Sequence, residues 1–142
     1  YKGIPFVAAT AVALSQNHGV SVSWGFNRKE AKDHGEGGVL VGASVEGKKV
    51  WIIDDVITAG TAIREVVTVL KNAGAQIAGV LVALDRQEKG QGNLSAIQEV
   101  QKELEIPVHA LITMKDLMDF LDAKGEKEAL AKMEAYRVKY GI

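Results

Sequence analysis

Apolar residues along this chain fall into blocks whose spacing switches between helical and extended periods. Phe6, Val7, Ala8, Ala9, Ala11, Val12, Ala13 and Leu14 form a dense run behind Pro5, which predicts a largely buried helix with proline in its first turn and a stop at residues 17–19. Val20, Val22, Trp24 and Phe26 then alternate with Ser21, Ser23 and Gly25, the period of a half-buried strand. Residues 27–38 contain Ala31 as their one apolar residue apart from glycine, so the segment has almost nothing to bury and is expected to be a mobile lid or solvated loop.

Beyond it, residues 39–45 and 49–54 read as two strands around a turn at Glu46 and Gly47, and the unbroken run Val50, Trp51, Ile52, Ile53 predicts a central strand covered on both faces. Ile63, Val66, Val67 and Leu70 share one helical face, with Gly74 as the stop. Residues 77–84 form another apolar strand; Ser95 with Gln98 is a capping-box signature for a helix to Leu104; residues 108–112 form a further strand. Thr113 is expected to cap a helix carrying Leu117, Phe120 and Leu121, and an amphipathic helix from Glu126 to about Tyr140 follows. Strands alternating with helices predict an α/β fold, a mainly parallel sheet flanked by helices, with ligand sites beyond the carboxyl ends of the strands. Trp24 and Trp51 read as core, and His18 and His109 as isolated residues.

Length and composition narrow the range of functions. The 142 residues correspond to one domain spanning 1–142. Seventeen basic against 18 acidic residues give a net charge of -1, which offers no broad footprint for nucleic acid or a membrane surface. With no cysteine there is no disulfide, thiolate nucleophile or Cys-ligated metal, which suits the cytoplasm. No apolar run approaches the roughly 20 residues that span a bilayer. The chain opens at Tyr1-Lys2-Gly3-Ile4-Pro5, and its beginning is expected to be missing from this sequence.

The densest chemistry lies in residues 50–62, which run from a buried strand through Asp54 and Asp55 into the small-residue turn Thr58-Ala59-Gly60-Thr61 and then a helix. The first N–H groups of a helix lack intrahelical partners and its macrodipole is positive there, so such a turn can wrap a phosphate. Neither a Walker-type Gly-Lys-Ser/Thr nor a GxGxxG is present. Two adjacent acids suit ribose hydroxyls or a magnesium ion held directly or through water, and acids plus phosphate turn describe a ribose 5-phosphate pocket. The plainer reading makes Asp54 and Asp55 a solvated strand end and Thr61 an ordinary N-cap.

The whole string resembles the phosphoribosyl diphosphate signature of the type I phosphoribosyltransferases. Residues 1–5, the charged stretch 28–38 and Leu84-Asp85-Arg86-Gln87-Glu88 resemble, within that family, the orotate phosphoribosyltransferases. The resemblance implies transfer of ribose 5-phosphate from phosphoribosyl diphosphate to orotate, giving orotidine 5′-phosphate and diphosphate in pyrimidine (UMP) biosynthesis, with Mg2+ bound mainly through the diphosphate. It implies Lys32, His34, Asp54 and Asp55 as catalytic residues. Phosphoribosyl diphosphate would meet Tyr1, Lys2, Arg28, Lys29, Lys32, His34, Asp54, Asp55, Val56, Ile57, Thr58, Ala59, Gly60, Thr61 and Ala62, and orotate would meet Thr58 and Arg86. It also implies a cytoplasmic homodimer whose lid reaches the neighbouring site, and an upstream segment covering the orotate ring. Two alternatives stay open: a purine phosphoribosyltransferase, and a sensor of phosphoribosyl diphosphate without catalysis.

Overall fold

In a computed structural model, residues 1–32 and 38–142 are described, with Lys29, Ala31 and Lys32 described by their backbone alone. The chain runs α1 (Gly3–His18), β1 (Gly25–Lys32), β2 (Gly38–Gly42), β3 (Lys49–Val56), α2 (Thr61–Asn72), β4 (Gln76–Asp85), α3 (Ala96–Leu104), β5 (Val108–Thr113), α4 (Met114–Lys124) and α5 (Lys127–Tyr140). β3, β4 and β5 form a parallel sheet in that order, with Ile52 beside Val80 and Val82 beside Ala110, while β1 and β2 form a separate antiparallel pair. The expected α/β architecture is present.

Its core follows the apolar periods. Ile63, Val67 and Leu70 of α2 pack with Val80 and Val82 of β4, Ile97 and Val100 of α3, and Val108 of β5. Capping sets the helix boundaries. Ser95 accepts from Gln98 N–H at 3.1 Å while the Gln98 side chain accepts from Ser95 N–H at 2.9 Å, and Thr113 and Asp116 make the same reciprocal box at the start of α4.

Several expectations are corrected. Among the described residues β4, not β3, is the central strand; β3 lies at the sheet edge, and Trp51, expected in the core, is 45% exposed, its ring 6.1 Å from that of His109. Trp24 is exposed too, because residues 20–24 are not strand: the ladder begins at Gly25 opposite Gly42. Residues 27–32, expected as loop, extend β1, because a ladder of backbone hydrogen bonds satisfies the chain whether or not its side chains are apolar. The rest of the expected lid, residues 33–37, lies outside the described residues. β2 ends at Gly42, short of Val45, which packs against the core from beyond the strand. α1 is not largely buried: it packs on β3 with Ala11 as its one buried residue, leaving Phe6 and Val12 exposed. α5 follows α4 but buries no residue, so its expected amphipathic face is weak.

Candidate functional site

β3 carries Asp54 and Asp55, both half-buried, to the carboxyl end of the sheet. Asp54 Oδ1 accepts from the Asp55 N–H at 2.9 Å, and Lys2 Nζ stands 3.7 Å from Asp55 Oδ2. Burial, reinforced by the neighbouring Asp55 charge, raises the Asp54 carboxyl above its ordinary range despite that backbone hydrogen bond. Gly3 allows the start of α1 to lie this close, since a Cβ there would stand 2.8 Å from the Ile53 carbonyl oxygen and 3.3 Å from Asp54 Oδ1.

Buried Ile57 anchors the turn that follows, and Gly60 closes it in the left-handed region at φ +74°. Gly60 also meets α3 closely: a Cβ would fall 2.5 Å from Val100 Cγ2. Gly60, not Thr61, occupies the N-cap of α2, and no side chain caps that end; the first turn holds no acidic residue. The plain reading of Thr61 as a cap is therefore excluded, and the helix end keeps its positive field. Tyr1, Lys2 and residues 54–63 line one open cleft of about 460 Å3, a size suited to a small ligand.

Arg64, which the sequence reading did not single out, braces this turn. Its Nη1 donates to the Ala59 carbonyl at 2.6 Å, while Nε and Nη2 clasp Glu103 of α3 at 2.7–3.0 Å. The two residues lie 39 positions apart, so no local pattern pairs them.

At the end of β4, Arg86 Nη2 donates to Thr58 Oγ1 at 2.9 Å and lies 3.0 Å from Glu88 Oε2. Arg86 Nε is buried without a hydrogen-bond partner among the described residues, so one in-plane donor of the guanidinium is left unsatisfied. Gln87 adopts a left-handed backbone at φ +51°, its N–H bound to Asp85 Oδ1 at 2.8 Å and its Oε1 accepting from Lys115 N–H at 3.1 Å. Glu88 accepts in addition from the Tyr136 hydroxyl, a bond that raises the tyrosine above its ordinary range.

The fold thus gathers Tyr1, Lys2, Asp54, Asp55, Val56, Ile57, Thr58, Ala59, Gly60, Thr61 and Ala62 on one cleft, with Arg86 joined to it through Thr58. Arg28 lies on β1 and does not line the cleft. His34 and the side chains of Lys29 and Lys32 lie outside the described residues. No group of three or more His, Cys, Asp or Glu that could hold a metal ion occurs among the described residues, so a magnesium ion would take most of its ligands from phosphate oxygens and water. No helix among the described residues is long and apolar enough to cross a membrane.

A family model described as the phosphoribosyl transferase domain matches residues 1–110. An orotate phosphoribosyltransferase of Acinetobacter baumannii (strain ACICU) is 90% identical over all 142 residues, and one of Pseudomonas paraeruginosa is 56% identical over 143 aligned positions. The chain covers 66% of the first relative and 67% of the second. Among solved structures, the orotate phosphoribosyltransferase of Francisella tularensis aligns with a TM-score of 0.83 at 38% identity, covering 100% of this chain and 67% of that one.

Proposed function

The chain belongs to the phosphoribosyl transferase domain family, and from that membership we propose that it carries the chemistry of an orotate phosphoribosyltransferase, with residues 1–142 as its catalytic domain. The observation that carries this reading is the bond from Arg86 to Thr58, which ties a planar cation with a spare buried donor to the edge of a cleft made of two carboxylates and an uncapped helix start. The relatives named above are orotate enzymes, and their likeness supports the choice of base.

In this reading Asp54 and Asp55 accept from the ribose hydroxyls and residues 58–62 hold the 5′-phosphate. Thr58 and Arg86 take the orotate, the fork of the guanidinium matching its carboxylate. Breaking the C1–diphosphate bond leaves cationic character on the ribose and charge on the departing diphosphate. Lys2, Arg28, Lys29, Lys32 and His34 are the cations assigned to that leaving group, so catalysis is mainly positioning and charge stabilisation. Magnesium arriving with the diphosphate supplies further neutralisation. Residues 27–38 act as the cover that excludes water, reaching across a cytoplasmic homodimer.

The test is product formation by the protein from its natural, full-length gene with phosphoribosyl diphosphate and magnesium. Orotate is expected to be consumed and orotidine 5′-phosphate formed, with adenine, guanine and hypoxanthine untouched; turnover of a purine base without orotate turnover contradicts the reading.

A further inference from the structure

Arg86 is a long side chain with five donors, and its usefulness to an anionic acceptor depends on where its guanidinium is held. Glu88 is the puzzling neighbour, because a carboxylate 3.0 Å from Arg86 competes for the same cation that a carboxylate ligand needs. The structure resolves the competition from the far end of the chain. The Tyr136 hydroxyl engages Glu88, whose side chain is 15% exposed. The backbone on both sides of Glu88 is fastened to the end of α5: Lys89 N–H donates to the Tyr140 carbonyl at 2.8 Å, and Ile142 N–H to the Gln87 carbonyl at 3.2 Å. The Tyr136 ring itself lies 4.7 Å from that of Tyr140, which fixes its direction on the helix. Glu88 is thereby held on Nη2, and the buried Nε keeps its donor.

We propose that residues 136–142 form a latch for the acceptor subsite, in which the Tyr136 hydroxyl, acting through the Glu88 carboxylate, sets the pose of Arg86 toward the planar acid. Tyr136 and Glu88 are positioning residues, and the proposal rests on the reading of Arg86 as the orotate contact. Raised by its bond to Glu88, the tyrosine hydroxyl stays protonated, and so a donor, through neutral pH. Gln87, in its left-handed backbone, passes the constraint to Arg86 within one residue.

The test uses steady-state kinetics on the full-length protein. Tyr136→Phe removes the hydroxyl while keeping the ring pair with Tyr140, so α5 stays docked. It is expected to raise the KM for orotate about 3- to 10-fold while the KM for phosphoribosyl diphosphate stays within about 2-fold. In a Glu88→Ala background the same change should alter the orotate KM by less than about 2-fold, since the acceptor that carries the route is gone. Equal shifts in both KM values, an unchanged orotate KM, or fully independent effects of the two substitutions would each overturn the latch. Wild-type protein that does not use orotate would overturn the activity reading and the latch with it, so the two failures are told apart by the unsubstituted enzyme.

Discussion

Asp54 carries its charge at a cost, and that cost has a testable sign. Burial raises its carboxyl in the folded chain, so between the ordinary aspartate range and the raised value the folded state holds a proton that the unfolded state has released. Stability contributed by the protonated form is therefore present below the unfolded value and is lost as pH rises through the folded one. Asp54→Asn keeps an oxygen to accept the Asp55 N–H but removes the charge. The variant is expected to be more stable than wild type at neutral pH, with the difference closing as pH falls through the raised value and gone below about 3.8, and to bind phosphoribosyl diphosphate about 10- to 150-fold more weakly, the size of a hydrogen bond to a charged group. Thermal unfolding across pH and a binding titration check both halves. A variant less stable at neutral pH would mean that the half-buried carboxylate is a structural asset.

Arg64 belongs to the scale of elements, because it joins the turn before α2 to α3. Its ion pair with Glu103 is solvent-exposed and screened, so Arg64→Ala should leave the unfolding midpoint close to that of wild type. Freeing the Ala59 carbonyl should raise the KM for phosphoribosyl diphosphate roughly 3- to 10-fold while affecting the orotate KM less. Two residues beyond Glu103, at the C-cap of α3, exposed Glu105 takes a left-handed conformation at φ +54°. Glu105→Gly relieves that strain and should stabilise the protein by about 0.5–1 kcal/mol, read as a higher unfolding midpoint with unchanged activity. Most elements and the acid–turn–helix of the cleft were legible in the sequence because their signals are local: the 3.6-residue face of α2, the capping boxes at Ser95 and Thr113, and the string at 54–62. What escaped is long-range. Arg64 meets Glu103 and Tyr136 meets Glu88 only after folding, and apolar content alone could not tell that Trp51 lies on an edge strand or that polar residues 27–32 pair as a strand.

The whole molecule exposes large apolar side chains on α1 (Phe6, Val12), in residues 20–24 (Val20, Val22, Trp24) and on the sheet (Trp51, Leu111), a pattern that goes with surfaces meeting further protein. A homodimer with shared sites is the proposal for part of that surface, and complementation tests it. Lys32→Ala and Asp54→Ala are each expected to be nearly inactive alone, and mixing them under subunit exchange should restore up to about a quarter of wild-type activity, because half the dimers are mixed and each mixed dimer assembles one intact site. Proven heterodimers without restored activity would confine each site to a single chain. The central claim is that one cleft binds ribose phosphate at residues 54–62 and the base at Arg86. Its most direct test is a crystal structure of the full-length protein with orotidine 5′-phosphate. The 5′-phosphate is expected within about 3 Å of backbone N–H groups of residues 58–62, the ribose hydroxyls on Asp54 and Asp55, and the orotate carboxylate on Arg86. A nucleotide bound with its phosphate away from the start of α2, or with its base remote from Arg86, would contradict it.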